Sequence, residues 1–265
     1  MEKAGEASAY SAGSGSATNN FRAGKLNICV CPSLRQTLEA AAAAVVAEMR
    51  RLISERGRAV CLFASARSQV EFLDDLVNAE GVEWTKVIGF HSDERLGVGE
   101  ESPQSQRRFL IERLVKRVPM AEFHGLRGEA ANPEAVCANY AALLKSRPPD
   151  LAALDLGENG RLASIYPRAC DFNDPLMVRV VEGDEASLGG DEISLEGDGT
   201  SREGDEASRG AISLTVPAIM ACPKLILIAT DPEAFRQTIE GEITTACPAS
   251  ILRTHEDAHI FTSRL

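Results

Sequence analysis

The chain has 265 residues, of which 44% are hydrophobic and 25% charged, enough apolar material for a substantial core at the upper end of what one domain spans. A formal charge of -11 argues against non-specific binding to nucleic acid or an anionic membrane, because the long-range field repels polyanions. The seven cysteines are odd in number and mostly isolated in apolar runs, so they read as reduced, buried thiols rather than a disulfide framework.

Residues 1–24 are rich in Gly, Ser, Ala and Asn without an apolar period and are expected to form a disordered N-terminal tail. They lack the basic and apolar regions of a secretion signal, and no apolar run approaches membrane-span length, so the expected location is the cytoplasm. A single domain is expected over 25–265. It opens with LNICVC, a short apolar strand in which Cys29 and Cys31 share a face but have no second cysteine pair nearby to complete a zinc site. Ser33 is placed to cap a helix whose apolar residues Leu34, Leu38, Ala41, Val45, Met49 and Leu52 keep helical spacing, with Gly57 placed to end it.

AVCLFA (59–64) reads as a buried strand, and Phe72, Leu73, Leu76 and Val77 as one face of the next helix. VIGF (87–90) is a third strand. Helices are expected over SPQSQRRFLIERLVKRV and over NPEAVCANYAALLKS, where Asn132 can cap and Pro133 suits the first turn. DLAALDLG (150–157) and KLILIAT (224–230) are further strands, the second leading through Asp231 and Pro232 into a capped helix. This alternation predicts an α/β domain: a mainly parallel sheet with helices on both faces, with binding sites beyond the carboxyl ends of its strands. From about 182 to 210, EGDEAS occurs twice with a related GDEIS between, and this acidic insertion is expected to be a solvated loop or short hairpin excursion.

Four separated segments resemble one family. FHSDERLGVGEESPQSQRRFL, Phe90 to Leu110, is similar to a segment with a DExxG start and a later PxS. PDLAALDLGENGRLASIYP, Pro149 to Pro167, is similar to an Asp-Leu strand running into GxDGH, and Gly157, Gly160, Ala163, Ser164 and Pro167 match the version DGHTASLFP. AISLTVPAIMACPKLILIAT and CPASILRTH match two further units. The chain is thereby identified as a member of the family that holds glucosamine-6-phosphate isomerases/deaminases and 6-phosphogluconolactonases. The resemblance implies a Rossmann-like three-layer architecture and a small phosphorylated sugar or sugar acid as partner; no cofactor, metal, nucleic acid or membrane is expected.

By the same resemblance, Asp93 stands where the proton-abstracting base is expected, since aldose–ketose isomerisation requires a carboxylate to remove the proton next to a carbonyl. Asn159 and Arg161 stand where the family has Asp and His, and Tyr166 where the deaminases have Glu. Asn cannot carry a proton and guanidinium stays protonated, so neither acts as imidazole would, although arginine can stabilise an oxyanion or hold a carboxylate. SARSQ, Ser65 to Gln69, aligns with a Gly-Gly-Ser/Thr phosphate turn, leaving Ser65, Arg67 and Ser68 as anion contacts. Arg95 is a further contact. A family Lys aligns with Glu233, and an Arg with Ala211, for which Arg209 is the nearest substitute.

HEDAH, His255 to His259, matches HExxH, but that motif requires one helix carrying both imidazoles, whereas the resemblance ends a helix near His255 and starts a strand at His259. His91 and His124 read as surface or structural histidines. Three functions follow from the resemblance: an isomerase/deaminase-like phosphosugar enzyme with Asp93 as base, a 6-phosphogluconolactonase-like hydrolase, or a non-catalytic sugar-phosphate binder.

Overall fold

A computed structural model describes residues 18–66, 68–183 and 210–263; Arg67, Arg209 and the acidic repeat from 184 onward lie outside the described residues. Eleven strands are present among those described: β1 Asn19–Ala23, β2 Leu26–Cys31, β3 Ala59–Phe63, β4 Val87–His91, β5 Asp93–Arg95, β6 Glu122–His124, β7 Leu151–Leu156, β8 Val178–Glu182, β9 Gly210–Leu214, β10 Lys224–Ala229 and β11 Ala258–Ser263. The α-helices among the described residues are α1 Leu34–Arg56, α2 Gln69–Asn78, α3 Gln106–Leu110, α4 Pro133–Ser146, α5 Val216–Met220 and α6 Pro232–Glu240.

The eight-stranded sheet runs in the order β1-β2-β11-β10-β7-β3-β4-β6 and is parallel except at β1. A second, antiparallel sheet has the order β5-β9-β8. Alternation along each central strand divides the apolar residues between two faces. Cys61, Phe63, Leu151, Ala153, Ile226 and Ile228 join the apolar faces of α1 and α2 in one core. Val60, Leu62, Ala152, Leu154, Leu225 and Leu227 join a second core with α4, α5 and the small sheet. A parallel sheet wetted on neither face accounts for the near-continuous apolar runs of its strands.

The caps read from sequence are in place. Ser33 accepts from the Gln36 amide, Gly57 closes α1 in the left-handed region with φ 76, Asn132 accepts from Ala135, and Asp231 from Glu233 and Ala234. Two expectations are corrected. Part of the expected tail, Asn19–Ala23, is an edge strand: Ala23 pairs with Leu26 across a two-residue Gly24–Lys25 turn, Gly24 has φ 60, and Phe21 packs on the core. The helix expected over 102–118 is shorter, with α3 followed by a wider π-type turn over Ile111–Val115. It starts at Ser105, whose hydroxyl caps it. Among the described residues, no helix is long and apolar enough to cross a membrane.

Candidate active site

From β3 the chain builds outward through β4 to β6, then returns to the other side of β3 and continues through β7 and β10 to β11. The strand order therefore reverses between β3 and β7, which in open α/β sheets opens a crevice beyond the carboxyl ends of the strands. Ala153, Phe63 and His91 lie side by side in β7, β3 and β4. Two residues further along each segment stand Asp155, Ser65 and Asp93.

Asp93 is carried out of the main sheet. The Ser92 amide donates to the Phe63 carbonyl at 3.0 Å, continuing the ladder by one bond, and Asp93 then pairs with Ser213 in the small sheet. The carboxylate is buried, with 3% of the residue exposed, and both its oxygens accept from hydroxyls. Ser92 Oγ donates to Oδ1, and Ser164 Oγ donates to Oδ2 at 2.6 Å. Ser164 is fixed in turn through its amide, which donates to Ser213 Oγ at 3.1 Å. A carboxylate so held keeps its orientation and has its charge shared by two donors, which suits a base that must be poised rather than mobile.

The loop after β7 delivers Ser164 through three left-handed residues. Asn159 and Gly160 take φ 55 and φ 71, and Ala163 takes φ 50, which an alanine rarely adopts. Arg161 braces the turn: Nη1 donates to the Ala163 carbonyl at 2.6 Å, the guanidinium lies 5.4 Å from the Tyr166 ring centroid, and it folds over Gly157, where a Cβ would come within 2.7 Å of it. Arg161 thus turns inward, half-buried, and its charge acts on Asp155. Asn159 is exposed and contributes the left-handed turn.

At the end of β3, Ser65 is buried, with its Oγ 3.4 Å from His91 Nε2. Ser68 is half-buried at the N-terminus of α2, and its hydroxyl does not cap the helix. The next side chain, Gln69, is 1% exposed with its Nε2 lacking a hydrogen-bond partner. The Gln69 backbone amide is taken by the Ala66 carbonyl at 2.9 Å, so it is the uncapped Ser68 hydroxyl and the unpaired, buried Gln69 Nε2 that offer donors to an anion here. Arg95 is half-buried in β5, two residues from Asp93 and so on the same side of that strand. Glu233 is occupied on its own helix, accepting from Arg236 Nη2 at 2.7 Å and from Gln237 at 2.8 Å.

His91, expected at the surface or satisfied, is fully buried, and its Nδ1 has no hydrogen-bond partner. Burial lowers its pKa to about 4, with Arg107 acting in the same sense and Asp93 opposing. Next to Asp93, Glu94 is buried and raised to about 7 by that burial, against four donors that favour its charged form: the amides of Arg95, Gln106 and Arg107 and the hydroxyl of Ser105. It joins β5 to the start of α3. Asp155, half-buried, is also raised, by burial first; Arg161 lowers it and Asp93 adds to the rise.

Sequence reasoning picked out Asp93, Ser65 and Arg161 but gave no site role to Ser92, Ser164, His91 or Asp155. One signal was available for the last: Leu151, Ala153 and Asp155 share a strand face, so an acid stands in an otherwise apolar row. The HExxH histidines serve different partners. His255 Nε2 lies 2.9 Å from the Cys222 carbonyl, and His259, in β11, lies 2.7 Å from Asp257.

Residues 32–195 match the family model described as glucosamine-6-phosphate isomerases/6-phosphogluconolactonase. A glucosamine-6-phosphate deaminase of Cellvibrio japonicus is 30% identical over 222 residues, covering 78% of this chain and 79% of that protein. The deaminase of Lactococcus lactis subsp. lactis is 28% identical over 205 residues, covering 74% and 81%. Among solved structures, a monomeric glucosamine-6-phosphate deaminase superposes with a TM-score of 0.77 at 20% identity, over 89% of this chain and 97% of that one. A 6-phosphogluconolactonase from Shewanella baltica gives 0.70 at 19% identity over the same shares. A family match across more than half of the chain, with a relative 30% identical over most of both chains, shows that the chain belongs to the glucosamine-6-phosphate isomerase/6-phosphogluconolactonase family.

Proposed function

We propose that the chain acts on a phosphorylated sugar in the manner of the isomerase/deaminase branch, with Asp93 as the general base. The observation that carries this reading is the Asp93 carboxylate, buried at the switch point and oriented by Ser92 and Ser164. The phosphate is assigned to the N-terminus of α2, with Ser65, Ser68 and Gln69 as neutral contacts and Arg67, outside the described residues, as a charged one. Arg95 is assigned to the sugar. Arg161 holds the loop that presents Ser164, and Asn159 provides its turn.

A base at Asp93 would remove the proton next to the substrate carbonyl and return it to the neighbouring carbon. Removing the carboxylate deletes that transfer, so Asp93→Asn is expected to lower turnover of glucosamine 6-phosphate by about 10²- to 10⁴-fold. Unchanged turnover in that variant sinks the role. A second reading, lactone hydrolysis, is favoured by one observation: Ser164, which orients Asp93, lies in the segment that resembles the lactonases. There Asp93 would activate water. Turnover of 6-phosphogluconolactone but not of glucosamine 6-phosphate selects it, whereas a raised melting temperature with either ligand and no turnover selects a binder.

A further inference from the structure

We infer that Asp155 is a second catalytic carboxyl, the acid–base group that opens the sugar ring while Asp93 handles the carbon-bound proton. The inference rests on the isomerase/deaminase reading of the site. Its geometric basis is the shared level of the strand ends. Ala153 lies beside Phe63, and Phe63 beside His91, so that Asp155, Ser65 and Asp93 follow two residues later around one crevice. Asp155 is opposite Ile228 in β10, which fixes it on the face of α1 and α2, where its neighbours along the strand, Leu151 and Ala153, are core residues.

An acid in such a row costs stability unless it is paired, and here it is half-buried at the open end of the sheet, with the Arg161 charge acting on it. Two charged groups face it: the Arg161 guanidinium from the loop after β7, and Asp93 from β5. Burial and the nearby Asp93 charge favour its protonated form, while Arg161 keeps the charged form within reach. Two carboxyls whose surroundings differ in this way divide into an acid and a base. Asp93, given two hydroxyl donors, is the base.

The step balances without any co-reactant. The Asp155 carboxylic acid gives its proton to the ring oxygen as the bond between that oxygen and the anomeric carbon breaks. The electron pair of the anomeric O–H bond forms the carbonyl, and the released proton passes to the Asp155 carboxylate, restoring the acid. Neither Asn159 nor Arg161 can perform this exchange, since an amide does not carry protons and a guanidinium does not release them.

Turnover of glucosamine 6-phosphate by the whole chain, followed across pH in wild type, Asp155→Asn and Asp155→Glu, tests the inference. The expected result is a loss in kcat of about 10²-fold or more in Asp155→Asn, with KM little changed and the alkaline limb of the kcat profile removed. Asp155→Glu is expected to restore part of kcat with that limb displaced, which a merely structural role would not produce. Wild-type kcat in Asp155→Asn overturns the inference and leaves Asp93 as base untouched, as does a change confined to KM. A wild type that turns over no phosphosugar removes the reading of the site and the inference with it. If Asp155→Asn does not fold, the Glu variant decides alone: an undisplaced profile at full kcat overturns the assignment.

Discussion

Asp93 was legible in the sequence because a DExxG run survives intact, but what makes it a poised base was not. Its two hydroxyl donors come from its immediate neighbour and from a residue 71 positions away, and only the second turn of the β7 loop brings Ser164 to it. His91 and Glu94, which flank it, give opposite pH signatures. The folded chain holds His91 neutral down to about 4, below its ordinary 6.5, so its contribution is complete above that ordinary value and is lost as pH falls from 6.5 toward 4. Glu94 keeps its proton up to about 7 instead of 4.5, so stability is lost as pH rises through that interval. Each effect is about 3 kcal/mol at full extent, and where the two intervals overlap they oppose. Wild-type stability is therefore expected to vary little there, whereas His91→Gln should gain stability on acidification from neutral pH, measured by denaturant unfolding. An acid-labile His91→Gln protein would contradict the assignment.

Among elements, the regular helices and strands were read well because each carries its own instructions. The periodicity of α1, its Ser33 cap and its Gly57 stop all act within a few residues of where they stand. The β7 loop is different, since its conformation depends on a neighbour. Gly160 has φ 71, and a Cβ there would come within 2.4 Å of Cys247 Sγ, so both the backbone and the space require glycine. Gly160→Ala is expected to destabilise the fold by about 1–3 kcal/mol and to lower turnover further by displacing Ser164 from Asp93. Unchanged stability in thermal unfolding would mean that the loop relaxes freely. The edge strand β1 was missed for a related reason: a short segment with little apolar alternation becomes a strand only because β2 offers an unpaired edge and Gly24 allows the return.

At the scale of the molecule, one sheet separates two cores that share no side chains. Phe63 fills the α1 and α2 face and Leu227, two strands away in β10, the opposite one, both essentially fully buried. Phe63→Ala and Leu227→Ala are each expected to cost about 2–5 kcal/mol, with the double variant matching their sum within about 0.5 kcal/mol. A larger discrepancy in denaturant titrations would show the sheet transmitting strain between its faces. The sequence by itself determined the α/β class, the order of the major elements and their caps, because burial pattern and capping chemistry are local. Only the tertiary structure decided which strands neighbour one another, and so where the order reverses and which side chains meet in the crevice. Ser65, Asp93, and Asp155 with Ser164 come from three separate stretches of chain, and no local rule states that β3, β4 and β7 should end together.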